Sequence, residues 1–443
     1  MTILNESGIP DVLPPLHAVN GLAERLANVL VVVAGTQSEA HLVQCLPAAP
    51  SPNPPPSQRN PRVIFAVLDP DDPPRQGLLA SRIVESAAGL RGTRLVLLVA
   101  GRTAESLGVD AEFETRLVAR KLDLPAEVVD PDAPHEVSGI LSTDLEDRVL
   151  AALVNICPKR KTSDLVETGS PAKRGGLFGG LLGRGNEASD SNGGHPVVLL
   201  GGALAPGAER GLAAELLRAG VEVAGAVPGS GIGELPPLGE GTVVAVMDPN
   251  LTSAAAAAER RGATVVKTLM PVGVDGMARF VQDVAEEAGT RTSEVVRARF
   301  AWEDLGALRN RIRGKRIFFA GDTGFEIPLA RFLADAGAVV LEVGAPRLDR
   351  RFLAAELQAL GPDVDVVVSP DYRGQLNRID ESGPDVVISS PGLHLPLVAR
   401  GHLCRSPRDF LAAGLYGYGG ARRILELLVR TVERAQILDS LNL

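Results

Sequence analysis

One stretch limits what this chain can fold into more than any other: Gly314-Lys-Arg-Ile-Phe-Phe-Ala-Gly-Asp-Thr-Gly-Phe-Glu-Ile-Pro-Leu-Ala-Arg-Phe-Leu333. It reads as a buried strand, a tight glycine turn and an amphipathic helix. Leu329, Phe332, Leu333 and Ala336 fall at i, i+3, i+4 and i+7, so they form one apolar stripe. Pro328 falls in the first helical turn, where its missing N–H costs nothing. Where this alternation of short apolar run, turn and longer helical segment repeats, it predicts a parallel sheet with helices on both faces.

The same unit recurs along the chain. A first region, 1–158, has candidate strands Val29–Ala34, Val63–Leu68, Leu95–Ala100 and Glu127–Val129. It closes with a helix from Glu146 to Ile156, ended by Cys157-Pro158. The proline cluster Pro47 to Pro56 lacks N–H donors and has fixed φ, which predicts an extended loop. Residues 159–195 are rich in Gly, Ser, Asp and Asn and read as a flexible insertion. A second region, 196–300, offers strands Val197–Gly201, Val221–Ala226, Val243–Met247 and Thr264–Val266. Its Ser253–Arg261 helix has a Thr/Ser start that predicts side-chain capping and Gly262 as its stop. A third region, 301–443, adds Ile317–Ala320, Val339–Val343, Val364–Val368 and Val386–Ser389, then a long helix from Ala421 to about Ile437. The expected fold is α/β: three Rossmann-like domains in series with mainly parallel sheets.

Composition removes several function classes. A net charge of −9 argues against a broad nucleic-acid surface, and the short apolar runs against a membrane span. Three scattered cysteines, Cys45, Cys157 and Cys404, form no CxxC pair. The expectation is a cytoplasmic protein. Two glycine-rich tracts fail as nucleotide loops. Gly175–Gly185 follows no strand and ends in no Gly-Lys-Ser/Thr, and Gly229–Gly233 leads into Glu234 and Pro236-Pro237 where a helix is required. No nucleotide site is expected in this chain, and no Ser/His/Asp triad is visible.

Several local stretches resemble a known family. Glu146-Asp-Arg-Val-Leu-Ala-Ala-Leu-Val-Asn-Ile-Cys-Pro158, Pro271-Val-Gly-Val-Asp-Gly276, Gly321-Asp322, Leu329-Ala-Arg-Phe-Leu333 and Glu342-Val-Gly344 come in order. Pro384-Asp-Val-Val387, Pro396-Leu-Val-Ala-Arg-Gly401 and Tyr416-Gly-Tyr418 follow. Together they resemble subunit N of light-independent (dark-operative) protochlorophyllide reductase, within the nitrogenase component 1-like superfamily. The resemblance implies an oxidoreductase subunit of (bacterio)chlorophyll biosynthesis. It implies pairing with a homologous B-like subunit in a heterotetramer, an iron–sulfur ATPase reductase as electron donor, and protochlorophyllide or a related tetrapyrrole as substrate. It also implies a 4Fe–4S cluster held by three cysteines of N and one aspartate of B.

Set against that pattern, the chain is a divergent member without the cluster cysteines. The second ligand position, after Gly35-Thr36-Gln37-Ser38, holds Glu39, and the third, after Ala100-Gly101, holds Arg102. The first should lie near Pro14–His17, where there is no cysteine. A guanidinium cannot bind iron, but it can pair with Glu39. Cys45 is a substitute candidate; six residues on, it would point about 120° away from Glu39 on a helix. Phe325, Arg405, Ser406 and Phe410 are candidates for the substrate cleft. No residue is assigned to metal. Two readings stay open: an N-like redox subunit, or a cluster-free, non-catalytic paralogue that binds a partner or a tetrapyrrole as an assembly scaffold.

Overall fold

A computed structural model describes residues 2–6, 8, 15–26, 28–45, 62–71, 75–132, 143–160, 194–202, 207–229 and 231–440. The proline cluster and nearly all of the 159–195 insertion lie outside the described residues.

The described chain is α/β, with three sheets. Strand β1 spans Ile3–Asn5, β2 Val29–Gly35, β3 Val63–Val67, β4 Leu95–Ala100 and β5 Ala126–Val129. Next come β6 (Val197–Leu200), β7 (Val223–Val227), β8 (Val243–Val246) and β9 (Thr264–Val265). The last are β10 (Arg316–Ala320), β11 (Val339–Ala345), β12 (Asp365–Val368), β13 (Val386–Ser389) and β14 (Cys404–Arg405). The sheet orders are β3-β2-β4-β5, β7-β6-β8-β9 and β1-β12-β11-β10-β13-β14, and the paired strands run parallel.

Parallel strands buried on both faces are driven by continuous apolar runs rather than alternation. In β2 every residue is buried, and its two faces enter different cores. Val29, Val31 and Val33 join a large core that runs on through the second and third sheets, while Leu30, Val32 and Ala34 pack under the helices Leu78–Ala88 and Ala111–Leu122. In β10, likewise, Ile317 and Phe319 belong to the shared core, and Phe318 and Ala320 to a separate small one.

Three expectations need correction. The boundary at 1–158 assigns the N-terminus to the first domain, yet β1 forms the edge of the third sheet, pairing Ile3, Leu4 and Asn5 with Val366, Val367 and Val368. Glu6 locks it there through Arg378 (2.8 Å), which also holds Glu342 (2.6 Å). Second, no Thr or Ser side chain caps the helix Thr252–Arg260. Its first amides, Ser253 N and Ala254 N, donate instead to Asp147 of the helix Asp144–Ile156 (3.0 and 2.9 Å), a cap supplied by another domain. Third, the insertion's ends are docked: Lys159 bridges Leu238, Arg160 Nη1 donates to Gly241 O, and His195 N donates to Ala288 O.

Candidate functional site

In each sheet the first strand of its unit is central, and the next strands go to opposite sides of it. The helices therefore leave in opposite directions, opening a crevice at the C-terminal strand ends where ligands of open α/β sheets bind. The three crevices lie between β2 and β4, β6 and β8, and β10 and β13.

Two of the three expected ligand positions, those of Glu39 and Arg102, fall on the first crevice. After β2, Thr36 and Glu39 form a capping box, in which a hydroxyl and a carboxylate satisfy each other's backbone amides. Thr36 N donates to Glu39 Oε2 at 2.8 Å and Thr36 Oγ1 donates to the same oxygen at 3.1 Å. In return Glu39 N donates to Thr36 Oγ1 at 3.4 Å. The other carboxylate oxygen, Oε1, accepts from Thr103 Oγ1 at 2.9 Å and so ties the turn after β2 to the turn after β4. The expected Glu39–Arg102 pair does not form: among the described residues no ion pair joins them, and the Arg102 side chain is exposed. Instead, Arg102 N donates to Asp132 Oδ2 at 2.9 Å, from the turn after β5.

A cluster does not fit these residues. Iron–sulfur clusters are held by thiolates, and the one carboxylate at a ligand position already accepts three hydrogen bonds. Cys45 ends the helix Gln37–Cys45, and its side chain lies outside what the structure describes. Cys157 is buried at the end of the helix Asp144–Ile156, and Cys404 lies on β14. Burial pushes both thiols up to about 11, so they stay protonated at neutral pH and are poor ligands where they stand. Among the described residues no group of three or more His, Cys, Asp or Glu is placed to hold a metal.

The second crevice opens toward a point lined by residues of all three regions of the chain. A small void there, too tight to admit a water molecule, is lined by Thr143, Glu146, Gly202, Asp248, Phe325, Leu411 and Tyr416. Asp248 is the second residue past β8, and both it and Glu146 are only 2% exposed. Burial first, then the Glu146 charge, pushes the Asp248 carboxyl well above its ordinary range, against the pull of the Asn250 amide. Burial likewise raises the Tyr416 phenol, with Asp248 and Glu146 adding to it. Tyr416 meets Phe325 edge to face, with ring centroids 6.1 Å apart. Nearby, Arg347 grips Asp144 through two bonds of 2.8 and 3.0 Å, joining the first helix-bearing region to the third across 203 residues.

Of the four cleft candidates, Phe325 alone lines this void. Phe410 is fully buried in the shared core. Arg405 pairs with Asp409 at 2.9 Å, and Ser406 caps the helix Pro407–Ala413 by accepting from Arg408 N. The structure adds Asp132, Thr143, Glu146, Asp248 and Tyr416, which were not singled out. Asp248 had a usable signal: it follows directly on the expected strand Val243–Met247, at a C-terminal strand end.

The comparisons with known proteins agree with this architecture. A model of the family "Nitrogenase component 1 type Oxidoreductase" matches residues 151–433. The chain is 32% identical to the light-independent protochlorophyllide reductase subunit N of Roseiflexus sp. (strain RS-1), covering 99% of this chain and 96% of that one. It is 31% identical to the subunit N of Chloroflexus aurantiacus, covering 100% of this chain and 90% of that one. Among solved structures, "Nitrogenase Cp1 at pH 6.5" superposes with a TM-score of 0.70 at 14% identity, over 98% of this chain and 94% of the other. The chain belongs to the nitrogenase component 1 type oxidoreductases and, within them, to the light-independent protochlorophyllide reductase subunit N family.

Proposed function

We propose that this chain is an N-like component of a light-independent protochlorophyllide reductase, working in (bacterio)chlorophyll synthesis as a subunit that supplies no cluster ligand. In this reading it pairs with a homologous B-like subunit in a heterotetramer in the cytoplasm, and an iron–sulfur ATPase reductase serves the assembly. The observation that carries the proposal is the end-to-end likeness to subunit N relatives, 99% of this chain on 96% of one of them. No helix among the described residues is long and apolar enough to cross a membrane, in keeping with that setting.

The geometry favours the scaffold version of the role over independent catalysis. The two turns at the first crevice are satisfied by carboxylates and hydroxyls. The void beside Asp248 is too tight to admit a water molecule, far short of the ~300–1,000 Å³ pockets that hold cofactor-sized ligands. In this reading a tetrapyrrole bound by the complex rests on surface shared with the partner. The test is co-expression with a B-like subunit and purification through a tag on that partner. A stoichiometric complex is expected, and a chain that elutes alone under every anaerobic condition tried would contradict the proposal.

A further inference from the structure

The first crevice carries an inference beyond the role just proposed. It rests on reading Glu39 and Arg102 as the vacated ligand positions. Glycines flank both turns, and in each a carboxylate folds over the bare backbone. A Cβ on Gly35 would stand 2.4 Å from Glu39 Oε2, and a Cβ on Gly101 would stand 2.1 Å from Asp132 Oδ2. A side chain at either glycine would push the carboxylate off its place, so glycine and carboxylate are matched at each turn. In both turns the carboxylate accepts a backbone amide, Thr36 N for Glu39 and Arg102 N for Asp132.

The third domain repeats the device at the equivalent place. After β10, Thr323 N and Thr323 Oγ1 both donate to Glu326 Oε1 at 2.9 Å, and a Cβ on Gly321 would stand 2.1 Å from that same oxygen. No cluster is in question there. Thr36-x-x-Glu39 and Thr323-x-x-Glu326 thus share one element, a glutamate that folds back onto the threonine amide and hydroxyl in the turn after a central strand, although Glu39 is the third residue of its helix and Glu326 the first. The first domain differs in two respects: the Thr36 hydroxyl accepts from Glu39 N where that of Thr323 accepts from Phe325 N, and an added Thr103 bond joins two separate turns.

We propose that the chain's own carboxylates occupy the cluster position: Glu39, through Thr36 and Thr103, cross-links the turns after β2 and β4, and Asp132, through Arg102 N, ties the β4 turn to the turn after β5, all by hydrogen bonds without metal. Glu39 and Asp132 are positioning residues, and they hold the crevice in the shape the partner meets. The device explains how ligand positions can hold an acid and a base while the turns stay ordered.

Amide hydrogen exchange on the purified full-length chain, without iron or partner, tests this directly. Protection of the Thr36 and Arg102 amides is expected in the unmodified protein. Glu39→Ala should speed exchange at Thr36 roughly tenfold, the size of effect a lost N-terminal cap produces, and Asp132→Ala should do the same at Arg102. The Thr323 amide should not change in either variant. Thr103→Val, a milder change that keeps the capping box, should loosen the Arg102–Ser106 turn while Thr36 stays protected. Thr36 and Arg102 amides that exchange equally fast with and without the carboxylates would overturn the proposal. Because the measurement needs no partner, it can fail while the complex still forms, and the complex can fail while it succeeds.

Discussion

Glu39 shows how one side chain changes an expected chemistry. A carboxylate can ligate iron in principle, but here its oxygens face an amide and two hydroxyls, and leaving those donors bare would cost about 1–3 kcal/mol each. Asp248 makes the opposite case, a carboxyl whose burial outweighs what Asn250 gives to its ionised form. Its pKa in the folded chain lies above its unfolded value, so the native state binds more protons at pH values between the two, and stability falls as pH rises through that interval from about 4 upward. Asp248→Asn, which keeps the oxygen that accepts Asn250 N, removes this loss. Urea midpoints should therefore show the variant gaining on the parent between pH 5 and pH 8; a parent that gains on the variant over that range would refute the assignment. Part of this was legible from residues alone. Thr-x-x-Glu before an apolar run is a local capping signature, visible at 36–39. Asp132 and Thr103 were not legible, because they reach Arg102 and Glu39 through the strand order, and no spacing rule joins positions 30 or 64 residues apart.

At the scale of elements, long apolar runs announced themselves. Val29–Gly35, Leu95–Ala100 and Val386–Ser389 are buried along their whole length, so no competing pattern obscures them. The short edge strands carry no such signal. β1 has three residues, mostly exposed, and β14 has two, so their pairing depends on neighbours rather than on their own composition. Asp147 capping a helix of the second region illustrates the same limit, since a cap from another domain leaves no mark beside the helix it caps. The placement of β1 has a consequence. Deleting residues 1–8 removes its three-residue pairing and the Glu6–Arg378 bond, a loss of roughly 1–3 kcal/mol. Amides of β12 should then lose protection while those of β2 and β4 keep theirs; the reverse pattern would return the N-terminus to the first sheet.

At the scale of the whole molecule, the three sheets are one packed body rather than beads on a string. One apolar core runs from Val29 and Leu97 through Val198 and Val244 to Phe319 and Val366, and the buried Arg347–Asp144 pair bolts its ends together. Such a body is costly to unfold piecemeal, and it presents its crevices in fixed relation to each other. In the proposed role, a subunit built this way supports its partner without a redox centre of its own. The most direct test of that claim is iron and acid-labile sulfide measured per chain, together with the visible spectrum, after anaerobic purification and reconstitution of this chain alone. The account predicts neither iron nor sulfide in stoichiometric amount and no cluster absorption. About four irons and four sulfides per chain, with a cluster spectrum that disappears when Glu39 or Cys45 is replaced, would contradict it.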